Sequence, residues 1–247
     1  MLPPEFGKGF GLYPNLLETR EVIPDYTKRT LGGVIPLEGL EPDERVRELI
    51  PHAELMRRVK TTAPFLYSLI RTNPNTKVST GYVKKGGQWF HDIVLADLIT
   101  LLSGTEAESR VKHNAHIGIS SYDDNNQKTG YKIYEYPDPN IINDTFYLIF
   151  EGVTDTGGTE EKIAKMLMSP MYRRVKPLVI TVADKTEKRL KNGRTQKLAI
   201  PTLALMGVTG WVGGFGPDLK KQANGTSIGR VINGGSVVVL EKLPKTA

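Results

Sequence analysis

The spacing of apolar positions changes along the chain. Residues 1–40 hold no sustained period, whereas from residue 78 onward short apolar runs alternate with stretches of helical spacing. Residues 78–83 read as a strand and 84–87 as a turn. Residues 89–102 read as a helix, with Phe90, Ile93, Val94, Leu98 and Leu101 on a 3.6-residue repeat. Residues 116–121 form another short strand and 131–136 alternate. Phe146 to Phe150 (FYLIF) is a continuous apolar run of the kind buried on both faces of a parallel sheet. A Gly-rich turn and a helix over 160–168 come next, then strands over 178–182, 203–208 and 237–240. Upstream, Pro42, Asp43 and Glu44 open a helical pattern through Val46, Leu49 and Ile50, which Pro51 interrupts and Leu55 resumes. A second apolar stretch at 65–70 ends at the turn Asn73-Pro74-Asn75. Strands alternating with helices predict an α/β fold, a mainly parallel sheet flanked by helices, over 41–247, with an irregular N-terminal extension over 1–40. No internal repeat is visible.

Composition narrows the function classes. In 247 residues there are 33 Lys+Arg against 27 Asp+Glu, a net charge of +6, with 39% hydrophobic residues, enough for a sizeable core. The 25 Gly and 16 Pro imply many tight turns, where backbone can approach a ligand closely. The absence of cysteine excludes a disulfide framework, a thiolate metal site and a cysteine nucleophile. No apolar run approaches the ~18 residues of a membrane helix, and the N-terminus has no signal-peptide pattern, so the expectation is a soluble, cytoplasmic chain with no membrane partner. The basic residues are scattered, apart from short clusters at Arg173-Arg174 and over 185–194. A phosphate metabolite therefore fits the positive charge better than nucleic acid does.

The segment with most chemical content is 148–162, LIFEGVTDTGGTEEK. A buried strand ending in Asp155-Thr156-Gly157-Gly158-Thr159 before a helix aims consecutive backbone N–H groups, two hydroxyls and a helix N-terminus at one point, which makes an anion cradle. Gly157 and Gly158 allow a left-handed turn and the close approach of a phosphate. An ordinary strand-to-helix turn capped by Thr159 would have the same sequence. No Gly-Lys-Ser/Thr follows, so this is not a nucleotide-triphosphate loop. His52, His91, His113 and His116 show no metal-ligand spacing and read as structural or solvated.

EGVTDTGGT resembles the phosphoribosyl-pyrophosphate signature of the type I phosphoribosyltransferases, and further segments fall in the order of the hypoxanthine-guanine branch of that family. Val83-Lys84-Lys85-Gly86-Gly87 is similar to its pyrophosphate loop, Ser120-Ser121-Tyr122 to its mobile flap, Asp184-Lys185 to its purine-reading lysine and 211–218 to its base-stacking segment. The resemblance runs from about Gly81 to Leu219 and implies a small hood region built from the flanking segments of 41–247. It implies transfer of the 5-phosphoribosyl group from phosphoribosyl pyrophosphate to hypoxanthine or guanine, in purine salvage, with magnesium as cofactor. Glu151 would hold the ribose hydroxyls. Thr154 would join Glu151 in the phosphoribosyl site, and Asp155, Thr156, Gly157, Gly158 and Thr159 would bind the 5′-phosphate, with Asp155 as general base. Lys85, Gly86 and Gly87 would bind pyrophosphate, with Ser121 and Tyr122 closing over the site. Trp211 would stack on the purine while Lys185 and the Val212 backbone read its edge. Asp218 and Glu151 would contribute to magnesium, an ion that takes few direct protein ligands. A homo-oligomer, common in the family, is the expected assembly.

Two departures from the family pattern bear on activity. The acidic pair after the FYLIF strand is here Glu151-Gly152, so one carboxylate is missing, and the arginine expected beyond Asp218 is replaced by Lys220 and Lys221, which lack its bidentate fork. These keep open a second reading, a catalytically impaired homologue that binds nucleotide or phosphoribosyl pyrophosphate as a regulator, or a structural protein. A third keeps the enzyme and changes the acceptor to xanthine, adenine or a pyrimidine. By default Lys85 and Lys185 would be surface lysines.

Overall fold

The computed structural model describes residues 34–38, 40–84, 86–122, 128–185, 190–191, 194–195, 197–208, 212–215, 220–221, 227–228 and 236–242. In chain order they form β1 (Val34–Ile35), β2 (Glu44–Ile50), α1 (His52–Thr72), β3 (Lys77–Tyr82), α2 (Gln88–Leu102), β4 (Val111–Lys112), β5 (Gly118–Tyr122), β6 (Lys128–Glu135), α3 (Pro139–Ile142), β7 (Thr145–Thr154), α4 (Gly158–Leu167) and β8 (Lys176–Asp184). There follow β9 (Leu190–Lys191), β10 (Arg194–Thr195), β11 (Thr202–Gly207), β12 (Val212–Gly213), β13 (Lys220–Lys221), β14 (Ser227–Ile228) and β15 (Val237–Lys242).

The FYLIF run lies in β7, the middle strand of a five-stranded sheet ordered β11-β8-β7-β3-β4, in which every pairing is parallel. Its burial on both faces explains the unbroken apolar run. Phe146, Leu148 and Phe150 point into a cluster with α1 and α2 residues such as Leu66, Ile70, Phe90 and Val94. Tyr147 and Ile149 point the other way, toward Ile163, Ala164 and Leu167 of α4. Helices on both faces of a parallel sheet bear out the expected α/β class. The chain leaves β3 through α2 to β4 on one side and leaves β7 through α4 to β8 on the other. The strand order therefore reverses between β3 and β7. At such a switch point the loops leaving the two carboxyl ends diverge and open a crevice.

One expected element is different. Residues 44–50 are a strand, not the start of a helix: β2 pairs antiparallel with β15, Val46 opposite Leu240 and Arg47 opposite Val239. Val46, Leu49 and Ile50 are buried as a helix would have buried them, but the partner is a segment almost 190 residues later, and no local spacing could announce it. Pro51 is accordingly the N-cap residue of α1 rather than an interruption. The freed N–H of His52 donates to the buried Ser236 hydroxyl at 3.1 Å. The 65–70 stretch joins the same 21-residue helix. Pro64 lies within α1 and removes one backbone donor, yet the stripe Leu55, Val59, Ala63, Leu66 and Ile70 packs on the sheet and holds the helix through it. β1, β2, β15 and β12 make a second, antiparallel sheet built from both ends of the described chain. Among the described residues no helix is long and apolar enough to cross a membrane.

Candidate functional site

Two loops meet at the switch point. The first leaves β3. Its backbone is fixed by Val83 N–H to the Phe150 carbonyl, Lys84 N–H to the Ile117 carbonyl and Gly87 N–H to the Val83 carbonyl, each at 2.9 Å. The loop presses so closely on β7 that side chains are excluded. A Cβ on Gly87 would stand 2.0 Å from the Phe150 carbonyl oxygen, and one on Gly86 would stand 2.5 Å from Glu151 Oε1. Gly87 is thus glycine because the β7 backbone is in contact with it, whereas Gly86 meets the movable end of the Glu151 side chain, which is thereby brought to the loop read as pyrophosphate-binding. Lys85 lies outside the described residues.

The second loop leaves β7 at Thr154 and runs through Asp155 and Thr156 to Gly157, whose φ of +84° is the left-handed conformation that favours glycine. α4 starts at Gly158, so the N–H groups of its first turn point out of the crevice end of the sheet, as the cradle reading requires. Lys185, at the end of β8, folds back on this loop. Its N–H donates to the Thr154 carbonyl at 2.9 Å and its Nζ lies 3.9 Å from Asp155 Oδ2. The side chain is only 5% exposed, so Lys185 is not the surface lysine its residue type suggests; a buried ammonium needs an acidic partner, and Asp155 is one.

Electrostatics at the head of β7 are unusual. Burial, reinforced by the negative charge of Glu160, pushes the Glu151 carboxyl from its ordinary 4.5 up to about 8, against the opposing pull of the Gly152 and Val153 N–H groups. Glu160, 1% exposed on the inward side of α4, accepts a hydrogen bond of 2.7 Å from the Thr154 hydroxyl. An acid in the first turn of a helix is the sequence signal that could have found Glu160. No periodicity announces Tyr131 of β6. Its ring lies against Gly158 and its hydroxyl is 3.5 Å from Thr156 Oγ1. The same strand carries Glu135, ion-paired with Lys84 of the first loop.

The sequence-expected residues therefore divide. Glu151, Thr154, Asp155, Thr156, Gly157, Gly158, Thr159, Gly86, Gly87 and Lys185 converge at the carboxyl ends of β3, β7 and β8. Ser121 and Tyr122 fall on β5, the antiparallel partner of β6. Val212 is in β12, its side chain in the core beside the sheet. Trp211 and Asp218 lie outside the described residues. Three of the histidines read as structural, His91, His113 and His116, make a knot beneath the first loop, while His52 opens α1. Thr80 Oγ1 is 3.3 Å from both His91 Nε2 and His113 Nδ1, and Tyr82 stacks on His116 at 3.9 Å between ring centroids. Burial pushes all three below the usual histidine value. Among the described residues no three His, Asp or Glu side chains are grouped to hold a metal.

No family model and no curated protein matches the sequence. Solved structures do match. A lysine-to-arginine mutant of the hypoxanthine phosphoribosyltransferase from Trypanosoma cruzi, complexed with the product IMP, is 17% identical over 82% of this chain and 94% of its own, with a TM-score of 0.56. The same organism's hypoxanthine phosphoribosyltransferase in complex with the product IMP is 20% identical over 78% and 93%, with a TM-score of 0.53. A glutamine mutant from a study of an invariant aspartic acid in such enzymes is 20% identical over 78% and 94%, with a TM-score of 0.55. The chain has the phosphoribosyltransferase fold.

Proposed function

We propose that the protein is a purine phosphoribosyltransferase that moves the 5-phosphoribosyl group from phosphoribosyl pyrophosphate to hypoxanthine or guanine and releases pyrophosphate. The observation that carries this reading is the meeting of two glycine loops across the β3/β7 switch point, with Glu151 between them and the Asp155–Lys185 pair at their edge. A substrate with a phosphate at one end and a pyrophosphate at the other needs two anion sites on either side of a sugar, and the two-loop arrangement supports this reading.

The 155–159 turn holds the 5′-phosphate, the 84–87 loop the pyrophosphate, and Glu151 the ribose hydroxyls. The purine lies against Asp155 and Lys185. The buried ammonium donates to an exocyclic oxygen, which favours a 6-oxopurine, since an amino group there would leave its donors unmatched. Asp155 takes or shares the purine proton as the ring nitrogen attacks C1. Catalysis is mainly positioning and stabilisation of the positive charge that develops on the sugar. Trp211 stacks on the base, the Val212 backbone reads its edge, and Ser121 and Tyr122 on the hairpin shield the site from water. Glu151 is a hard oxygen donor at the junction of the loops and fits magnesium; together with Asp218 it would hold the ion, which when bound neutralises pyrophosphate charge. A homo-oligomer and a cytoplasmic location go with this role.

The test is to incubate the protein with magnesium, labelled phosphoribosyl pyrophosphate and a panel of purine and pyrimidine bases. Nucleotide is expected with hypoxanthine or guanine, and a folded protein giving none with any base overturns the reading. Gly152 favours the alternative, a nucleotide-binding regulator without turnover. Calorimetry with phosphoribosyl pyrophosphate separates the two, because the regulator binds and does not react.

A further inference from the structure

Two adjacent glycines open α4, and the backbone requires only one. Gly157 has the positive φ; Gly158, the first residue of the helix, does not. What Gly158 accommodates is Tyr131. A Cβ at 158 would stand 2.1 Å from Tyr131 Cε2, 2.4 Å from Cζ and 2.6 Å from the hydroxyl oxygen, so any other residue would displace the ring. The hydroxyl thus lies at the rim of the cradle, 3.5 Å from Thr156 Oγ1, a contact too long to be a strong hydrogen bond. Tyr131 is only partly buried, so a ligand in the cradle can reach it. Its strand is fastened at both anion loops, by Tyr131 against Gly158 and by Glu135 paired with Lys84, which keeps the hydroxyl in place.

We propose that Tyr131 is a phosphate-positioning residue of this site, its hydroxyl donating to the same phosphate monoester that the 155–159 turn holds, with Gly158 kept free of a side chain so that the ring can stand there. The inference rests on the phosphate-cradle reading above. A phosphate monoester dianion offers only acceptors, so an added phenol donor is chemically matched, and a hydrogen bond to a charged group is worth more than a neutral one.

Calorimetry on the full chain with ribose 5-phosphate as the probe, and pyrophosphate as the control ligand, tests this. Tyr131→Phe should bind ribose 5-phosphate about tenfold more weakly, hold pyrophosphate within about twofold and melt at the wild-type temperature. Gly158→Ala should show a similar loss because its Cβ displaces the ring, although alanine is the better helix former. A Tyr131→Phe protein that binds ribose 5-phosphate as tightly as the wild type overturns the role and leaves the cradle reading standing. Equal losses for both ligands overturn it in favour of a purely structural ring. A wild-type protein that does not bind ribose 5-phosphate overturns both.

Discussion

Replacing Glu151 by Gln should stabilise the protein, and by an amount that grows with pH. In the unfolded chain the carboxyl titrates near its ordinary 4.5, whereas in the fold burial and the Glu160 charge push it up to about 8. Below pH 4.5 it is protonated in both states and contributes nothing. Between 4.5 and 8 the native state holds a proton that the unfolded state has released, so stability falls as pH rises. Above 8 a buried carboxylate carries the full penalty. At 1.36 kcal/mol per pH unit this amounts to under about 1 kcal/mol at pH 5, about 3 at pH 7 and about 5 above pH 9, as upper values that relaxation of the fold reduces. Gln keeps the shape and an oxygen to accept the Gly152 N–H, seen at 2.9 Å, but never ionises. For a chain of this length each kcal/mol moves the melting midpoint by roughly 2–4 °C, so a gain of roughly 6–12 °C is expected at pH 7 and under about 4 °C at pH 5. Urea unfolding of both proteins, followed by circular dichroism with a chelator present at pH 5, 6, 7 and 8, measures this. Parallel stability curves, with the same difference at pH 5 as at pH 8, would show that Glu151 does not titrate in this range.

Asp155→Asn should lower kcat by about 10²-fold or more while KM for phosphoribosyl pyrophosphate changes little, since the amide keeps the shape beside Lys185 but accepts no proton. Steady-state kinetics giving unchanged kcat and a raised KM would contradict the general-base role. Gly157→Ala forces a Cβ into the left-handed region at φ +84° and should cost about 1–2 kcal/mol by denaturant unfolding, with weaker phosphate binding as the turn relaxes. A neutral effect on both would mean that the turn adapts freely. Phe150→Ala removes a ring packed edge-on against Phe90 at 5.2 Å between centroids, in the middle of the core. It should cost about 3–5 kcal/mol, a fall of roughly 6–20 °C in Tm.

Elements whose burial is two-sided were legible because one segment carries the whole signal. Five consecutive apolar residues in FYLIF need no partner to be recognised as a buried strand, and the helix over 88–102 shows its own repeat. Residues 44–50 were not legible in this way. Val46, Leu49 and Ile50 satisfy a helical spacing, and what makes them a strand is β15, so the deciding interaction is absent from the local sequence. The site divides similarly. The turn at 155–159 is local and readable. The burial of Lys185 is not, because it depends on β8 running beside β7, and by residue type alone a lysine belongs on the surface. Gly157 and Gly158 look equivalent in sequence and serve different ends, one a dihedral angle and the other a ring from a hairpin 27 residues earlier.

Gly152 takes on a different meaning once the structure is in view. Read from the sequence, it removes one of two acids from the ribose end of the site. In the fold, however, the neighbourhood of Glu151 already holds a second buried carboxylate, Glu160, delivered by α4 instead of by the next position of β7 and fixed by the Thr154 hydroxyl. An acid at 152 would add another negative charge to the strand end where burial and the Glu160 charge have already pushed Glu151 up to about 8. Glycine there keeps the carboxylate count at two, and its N–H donates to Glu151 itself, an interaction that favours the ionised form against the two effects that oppose it. The pH series on Glu151→Gln measures how far burial beside Glu160 raises the Glu151 carboxyl, and so how costly a further acid at this strand end would be.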